Sequence, residues 1–260
     1  MVDYAYYLIV AVIGLIGLSF GSFLSVVLFR LDIKSGILTG RSECPQCLAK
    51  LRWYDLIPLL SFLLLKGKCR YCQKNISSIY LAMELSMTAA FMAYYFFNGP
   101  YLTVADCYNL ILIFIFLALT FFDYRYFILP DKLVLTGLGL VIIYMTLLSR
   151  DSFVNNLISG LVAASFFAII YLISRGEWLG FGDVKLAFLI GFVLGYPLAL
   201  LSIIGAVWAG ALWGLVLILM GRANSKTALP FGSFLGSSTV LFLVFGNYAK
   251  EIFEILFGIL

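Results

Sequence analysis

Long apolar runs separated by short polar connections fill most of the chain, and this pattern predicts membrane-spanning helices. A span needs about 20 predominantly apolar residues. Eight segments approach or meet this length: 5–29, 79–97, 106–122, 132–148, 154–174, 184–196, 198–220 and 232–249. The sixth is short and only Pro197 separates it from the seventh. We predict an all-α, polytopic membrane protein with about eight transmembrane helices.

The composition supports a membrane protein, because 63% of the residues are hydrophobic and only 12% are charged, outside the range of soluble domains. The first apolar run could be mistaken for a signal peptide. However, Asp3 stands where a signal peptide has basic residues, and no small-residue cleavage site precedes Arg30. We interpret this run as a retained first span.

The basic residues are distributed unevenly over the connections. If the N-terminus lies outside, 15 of the 17 Lys and Arg residues fall on the cytoplasmic side, leaving only Arg150 and Lys250 outside. This bias is the positive-inside signal and predicts that orientation. The net charge of +4 therefore requires no nucleic-acid partner, and the partner that the pattern implies is membrane lipid.

Residues 30–78 form the only sizeable polar region and contain two Cys-x-x-Cys pairs with 21 residues between them. Such pairs predict one structural zinc site, because four soft thiolates close a tetrahedral shell and leave no position for a catalytic water. Disulfides are the alternative, but the predicted cytoplasmic side is reducing. The predicted ligands are Cys44, Cys47, Cys69 and Cys72. We interpret Cys107, in an apolar segment, as a small buried residue.

The sequence contains no histidine. This absence excludes Ser-His-Asp and Cys-His nucleophile systems, zinc held by histidine in a catalytic site, and imidazole proton shuttles. Acid–base chemistry in this chain must therefore use carboxylates, Lys, Tyr or Cys.

Four of the 13 acidic residues lie near span ends, namely Glu84, Asp123, Asp131 and Asp183. A charge within a membrane costs about 2.5 to 3.5 kcal/mol on insertion scales, so such acids are functional candidates. We interpret Glu84 as structural, pairing with a loop cation or capping polar groups. Asp131 follows Pro130, so it either caps a helix N-terminus or takes part in a site.

Asp123 ends the third segment, and Asp183 precedes the sixth, directly after Gly180-Phe181-Gly182. The predicted topology places both on the cytoplasmic side. Two adjacent carboxylates can share a proton, one serving as base toward water and the other as acid toward a carbonyl. The residues alone leave open an ion pair of Asp123 with Arg125 or Lys132. They also leave open a transporter that binds cations or relays protons, and a scaffold for a partner.

Further motifs follow in order: Gly21-Ser22-Phe23-Leu24 with Arg30-Leu31, Arg41-Ser42, Trp53 to Pro58, Gly67 to Arg70, Ile76-Ser77, Leu129-Pro130-Asp131, Gly180 to Lys185 and Pro230-Phe231-Gly232. With the Cys pairs, Glu84 and the two acids, the chain resembles the type IV prepilin peptidases, which are bacterial GxGD aspartic proteases. Presenilin-type and signal-peptide-peptidase-type proteases share the acid motifs but lack the four-Cys loop.

The resemblance implies that Asp123 and Asp183, rather than Asp131, are the catalytic pair. It implies cleavage of prepilin or pseudopilin leaders after a glycine, at the cytoplasmic face of the bacterial inner membrane. Many members with the Cys pairs also methylate the new N-terminus with S-adenosylmethionine. The chain then divides into a first span (1–29), a cytoplasmic zinc loop (30–78) and a membrane-embedded peptidase domain (79–260).

Two residues depart from the family pattern. Ser25 stands where the family usually has Asn, and Ser233 stands where Pro often follows Pro-Phe-Gly. The first departure bears on methylation more than on proteolysis. We also predict that Gly180 and Gly182 keep the backbone beside Asp183 open to a substrate strand or to the third span.

Overall fold

A computed structural model describes residues 4–30, 41–99, 102–224 and 227–257, and their side chains from residue 7 to residue 255. A short 3₁₀ turn at Trp53–Asp55 lies in the polar loop. The α-helices are α1 (Tyr4–Arg30), α2 (Leu60–Leu64), α3 (Ser78–Asn98), α4 (Val104–Tyr126), α5 (Asp131–Leu148), α6 (Arg150–Ser174), α7 (Phe181–Leu194), α8 (Leu198–Leu219) and α9 (Phe231–Phe257).

Within those ranges, seven helices are long and apolar enough to cross a membrane: α1, α3, α4, α5, α6, α8 and α9. The sixth predicted segment corresponds to α7, whose 14 residues rise about 21 Å, less than the ~30 Å of a hydrocarbon core. The prediction of an all-α, polytopic membrane protein is confirmed. The described part of the chain contains isolated β-bridges but no strand.

The chain forms two compact units, Met1–Tyr101 and Leu102–Leu260. In the first unit, α1 and α3 pack with their backbones in contact. A Cβ on Gly17 would lie 2.7 Å from the Cα of Thr88, and one on Gly21 would lie 2.5 Å from the Cα of Glu84. Small residues four apart allow this close approach between membrane helices. From Gly17 to Gly21 along α1, the contact on α3 moves back from Thr88 to Glu84. The two helices are therefore antiparallel.

Glu84 ties the polar loop to α3. Its Oε2 accepts a hydrogen bond of 2.7 Å from the backbone N–H of Leu59, just before α2 begins. An unpaired N–H near a membrane is costly, and Glu84 satisfies this one. The structural interpretation of Glu84 as a cap for a polar group agrees with this contact.

Antiparallel helix pairs also build the second unit. Along α9, Gly232 lies against Asp123 and Gly236 against Thr120 of α4, so the α4 numbers fall as the α9 numbers rise. Along α8, Gly205 lies against Ser238 and Gly210 against Phe234 of α9, again in opposite order. Because partners run in opposite directions, the C-terminal end of α4 and the N-terminal end of α9 lie at the same end of this unit.

Helix α7 is held by α6. The side-chain amide of buried Asn156 donates to the backbone carbonyls of Phe192 (3.1 Å) and Val193 (3.3 Å). These carbonyls belong to the last turn of α7, where no later helical N–H can reach them. Gly195 then ends the helix with φ +65°, and a Cβ there would collide with Asn156. Asn156 and Gly195 together form the C-terminal end of α7.

Helix α3, which the sequence analysis places in the peptidase domain (79–260), packs on α1 in the first unit. One detail differs from the sequence interpretation. The interpretation of Cys107 as buried is wrong, because this residue is exposed on α4. An apolar residue on a membrane helix can face outward as readily as inward, so hydrophobicity alone does not give burial.

Candidate functional site

The ends of three helices meet at one end of the second unit. Asp123 lies in the last turn of α4 and Asp183 in the first turn of α7. Leu129, in the connection from α4 to α5, lies beside the first turns of both α7 and α9. A Cβ at position 182 would be 3.3 Å from Leu129 Cβ, and a Cβ at position 232 would be 3.1 Å from Leu129 Cδ1. The first turns of α7 and α9 are therefore both packed against this connection.

Asp123 is buried, with 6% of its surface exposed. Its backbone carbonyl accepts the N–H of Phe127 at 2.8 Å, where φ turns to +54° and α4 ends. The carboxylate Oδ2 accepts the backbone N–H of Ser233 at 2.7 Å and lies 3.1 Å from the Ser233 hydroxyl. These contacts fix the Asp123 side chain against the start of α9.

Asp183 is half-buried in the first turn of α7. Its backbone N–H donates to the carbonyl of Gly180 at 3.1 Å, which starts the helix. The carboxyl group lies close enough to Asp123 for the two charges to interact. The structure thus brings together the two acids that the sequence singled out, although they are far apart along the chain. Among the described residues, no cluster of three or more potential metal ligands includes either acid, and the sequence contains no histidine.

Asp131 lies outside this pair. It is in the first turn of α5, and its Oδ1 accepts Lys185 Nζ at 2.6 Å while the side chain remains 63% exposed. An exposed pair of this kind contributes little to stability, about 0–1 kcal/mol, but it links α5 to α7. Among the described residues, Asp123 forms no ion pair with Arg125 or Lys132, which removes the simpler interpretation of Asp123.

The glycines near the pair have different surroundings. A Cβ at Gly180 would make only an ordinary contact, 3.7 Å from Asp183 Oδ2, and a Cβ at Gly182 would meet the side chain of Leu129 rather than the backbone of α4. The tightest position is Gly232, where a Cβ would lie 3.0 Å from Asp123 Cγ. The motif Pro230-Phe231-Gly232 is visible in the sequence, but nothing in it indicates a contact between Gly232 and Asp123.

In the first unit, the four predicted zinc ligands cluster. The Sγ atoms of Cys44, Cys47, Cys69 and Cys72 all lie within 4.8 Å of one another. Each pair sits on a tight turn, in which the carbonyl of Cys44 accepts the N–H of Leu48 (2.8 Å) and that of Cys69 accepts the N–H of Gln73 (2.9 Å). The isolated bridges Glu43–Lys50 and Lys68–Asn75 close these turns.

This arrangement fits zinc. With Zn–S bonds of about 2.3 Å, the sulfurs of a tetrahedron lie about 3.8 Å apart, so only a small contraction is needed. Burial opposes ionisation of Cys44, but the N–H groups of Gln46 and Cys47 together with the neighbouring thiols lower the pKa of its thiol to about 7. The N–H of Ala49 favours ionisation of Cys47, but burial and the thiols of Cys44 and Cys72 raise its pKa to about 11, so Cys44 is the thiol that ionises first. The thiolate is the form that binds zinc. Zinc here would fold the loop, because four sulfurs leave no open position.

A hydrogen-bonded network supports the cysteine cluster. Asp55, whose side chain is 3% exposed, pairs with Arg70 Nε at 2.7 Å and accepts from the N–H of Arg52 (3.1 Å) and the hydroxyl of Tyr71 (3.2 Å). Burial favours the neutral acid, but these donors hold the pKa of Asp55 below its usual value. An acid in this loop could attract a basic substrate, but the network leaves Asp55 unavailable for that.

Replacing Cys44 by serine should remove the bound metal. Serine oxygen is a poor zinc ligand, and three remaining thiolates hold zinc more weakly. We expect about one zinc per chain in the purified parent protein and a small fraction of that in Cys44→Ser, with faster proteolysis of residues 41–76. Cys107→Ser is the matched control and should keep its zinc. Full zinc content in Cys44→Ser, or none in the parent, would contradict the ligand set.

The family model for the bacterial peptidase A24 N-terminal domain matches residues 15–97, and that of the type IV leader peptidase family matches residues 110–218. No solved structure matches the chain.

Several relatives carry the name prepilin leader peptidase/N-methyltransferase. One from Bacillus subtilis is 31% identical over 91% of this chain and 94% of its own length. One from Stutzerimonas stutzeri is 30% identical over 89% of each chain, and one from Vibrio cholerae is 32% identical over 74% of this chain and 79% of its own length. Similarity at this level over nearly the whole length, together with both family models, shows that the chain belongs to the type IV leader peptidase family.

Proposed function

We propose that the chain is an intramembrane aspartic endopeptidase that removes the leader of type IV prepilins or pseudopilins by cutting after a glycine. The observation that carries this proposal is the convergence of Asp123 and Asp183, from the ends of α4 and α7, with interacting carboxyl groups. The chain has no histidine, which excludes Ser-His-Asp and Cys-His systems, whereas a pair of adjacent acids can hydrolyse a peptide without histidine.

In the proposed mechanism, a water molecule is held between the two carboxyl groups, which share one proton. The ionised carboxylate takes a proton from water while the water oxygen bonds to the scissile carbonyl carbon. The protonated partner donates its proton to the carbonyl oxygen. Collapse of the tetrahedral species breaks the C–N bond. The leaving nitrogen receives a proton from the acid that took one from water, and one hydroxyl of the tetrahedral species returns a proton to the other acid, which restores the shared proton. The two acids titrate as a pair.

The proposed location is the bacterial inner membrane, with the N-terminus outside and both the acids and residues 30–78 on the cytoplasmic side. The support is the distribution of basic residues, of which Lys34 and Lys226 lie outside the described residues. The functional division into a first span (1–29), a zinc loop (30–78) and a peptidase domain (79–260) remains part of this proposal. The zinc loop as a whole is the proposed region of contact with the leader.

We also propose, from the names of the relatives, that the chain methylates the new N-terminal residue. S-adenosylmethionine would supply the methyl group. A cavity of about 730 Å³ between α6 and α8 is lined almost entirely by apolar groups, including Ile158, Val162, Phe166 and Ile203, and does not suit a cofactor with an amino-acid moiety and a ribose. Ser25, where the family usually has Asn, bonds to the carbonyl of Ser22 in its own helix at 2.6 Å. We therefore assign no residue to the cofactor.

Mass spectrometry of a co-expressed prepilin tests both activities at once. Loss of the leader after glycine gives the cleavage position, and an added 14 Da on the new N-terminus reports methylation. Unprocessed prepilin in the presence of correctly inserted protein would contradict the peptidase. A cleaved but unmethylated product would limit the function to proteolysis.

Gly232→Ala should slow cleavage although both acids remain. The new Cβ would lie 3.0 Å from Cγ and 3.1 Å from Oδ2 of Asp123, so the carboxylate must move. Displacing a reacting group by up to 1 Å can reduce rates about 100-fold, and we expect a reduction of about 10- to 100-fold. Gly139→Ala is the control, because no atom lies within 4 Å of its Cβ position. Equal processing rates in the two variants would refute the close approach.

A further inference from the structure

We propose that Ser233 is a positioning residue that divides the roles of the two acids, holding Asp123 as the proton acceptor and leaving the shared proton on Asp183. The inference rests on the proposed aspartic pair and goes beyond it, because neither the sequence motifs nor the shared proton says which acid acts as base. Its basis is an asymmetry in the hydrogen-bond donors around the two carboxyl groups.

Ser233 occupies the first turn of α9 and presents two donors to one oxygen. Its backbone N–H reaches Asp123 Oδ2 at 2.7 Å and its hydroxyl oxygen lies 3.1 Å from the same atom. The hydroxyl also lies 3.0 Å from the carbonyl of Thr120 and can serve one acceptor at a time. The N–H cannot rotate. It lies 3.2 Å from the carbonyl of Pro230, so Asp123 is its closer partner.

This geometry favours the ionised form of Asp123. First-turn N–H groups of a helix lack the usual partner four residues earlier and carry the positive end of the helix dipole. A hydrogen bond from such a donor to a buried carboxyl oxygen stabilises the ionised carboxylate more than the protonated acid. The second oxygen, Oδ1, has no partner from Ser233 and is left to accept a proton from water.

Asp183 has fewer donors among the described residues. The backbone N–H of Gly180 is the one donor that favours its ionised form, and the neighbouring charge of Asp123 opposes that form. Lys185, two residues further along α7, is held by Asp131 on the surface. Since two adjacent carboxylates cannot both ionise easily, the acid with fewer donors is the one that keeps the proton.

The test uses two reagents that distinguish protonated from ionised carboxyl groups, applied to the full-length protein in detergent. A diazo ester takes the proton of a carboxylic acid onto its carbon, loses N₂ and is captured by the carboxylate, so it labels the protonated acid. An epoxide is opened by attack of an ionised carboxylate on carbon, and its oxygen then gains a proton from solvent. Peptide mass spectrometry locates the resulting esters. We expect the epoxide on Asp123 and the diazo ester on Asp183.

Variants at position 233 show whether serine causes this preference. Ser233→Pro removes both donors, and the first turn of a helix tolerates proline. In this variant the epoxide's preference for Asp123 over Asp183 should fall about tenfold or more. Ser233→Ala keeps the backbone N–H, so the preference should fall by less. The alanine variant also tests the inference if the proline variant misfolds. Ser233→Thr keeps both donors and should preserve it. Ser237→Ala, exposed on the same helix, is the control.

Diazo labelling of Asp123 in the parent protein would overturn the inference, as would an epoxide preference that is the same in all position-233 variants. Failure of the proposed function has a different outcome. If a co-expressed prepilin is fully processed by Asp183→Asn, the acid pair is not the catalyst, whatever the pattern of labels.

Discussion

Asp183→Asn should leave a co-expressed prepilin unprocessed. Asparagine has nearly the same shape as aspartate, so α7 should still start at Phe181 and the protein should still insert. The amide cannot share a proton with Asp123 or take one from water, and we expect at least about a 1000-fold loss of cleavage, as for other groups that act as a unit. Asp123→Asn should have the same effect. The double variant should be no worse than either single variant, because one acid alone is already inactive.

Asp131→Asn is the matched control, because Asp131 is an acid at the same end of the second unit that lies outside the pair. Its side chain is 63% exposed and paired with Lys185, an interaction worth about 0–1 kcal/mol. Processing should therefore continue at close to the parent rate. The measurement is the ratio of mature to precursor pilin, with insertion checked by gel filtration in detergent. Normal processing by Asp183→Asn, or its loss in Asp131→Asn alone, would be incompatible with the proposed pair.

The parts of this site that could be predicted from sequence depended on spacing and on the alternating direction of the spans. Four cysteines in two close pairs need only a folded loop to meet. To be predicted as neighbours, Asp123 and Asp183 needed only to lie at helix ends on the same side of the membrane, which the predicted topology gives. Neither prediction required knowledge of how any helix is rotated about its axis.

The contacts that escaped prediction depend on such rotation or on the detailed path of a loop. Ser233 reaches Asp123 across 110 positions of sequence, and Asp55 is a buried partner of Arg70 although it lies in the polar loop. In a membrane helix, most faces are apolar whether they meet lipid or protein. The pattern of hydrophobic positions therefore does not say which face of α7 packs on α6, or that Cys107 points outward.

Helix α7 is the clearest case. Its last ten residues before Gly195 are apolar apart from Lys185, so the sequence offers no amphipathic pattern to orient it. The structure orients it through Gly191, which is packed against Gly160 of α6. A Cβ on Gly191 would lie 2.5 Å from both Gly160 Cα and Ser159 carbonyl oxygen, and one on Gly160 would lie 2.9 Å from the carbonyl of Phe188. These neighbours are backbone atoms, which cannot rotate away.

Gly191→Ala should therefore destabilise the protein, although alanine forms helices better than glycine. Overpacking a core costs about 1–3 kcal/mol, and contact with backbone atoms places this position at about 3 kcal/mol. The control Gly139→Ala introduces the same side chain into α5, where nothing lies within 4 Å, and should stabilise by up to about 1 kcal/mol through helix propensity. The two substitutions should thus shift the free energy of unfolding in opposite directions.

Unfolding in mixed detergent, followed by circular dichroism, measures both shifts under the same conditions. Since α7 carries Asp183 in its first turn, Gly191→Ala should also reduce prepilin processing, whereas Gly139→Ala should not. If both substitutions stabilise the protein equally, α6 and α7 are not in backbone contact. The position of Asp183 would then have to be set by the connection before α7 rather than by the packing of the helix.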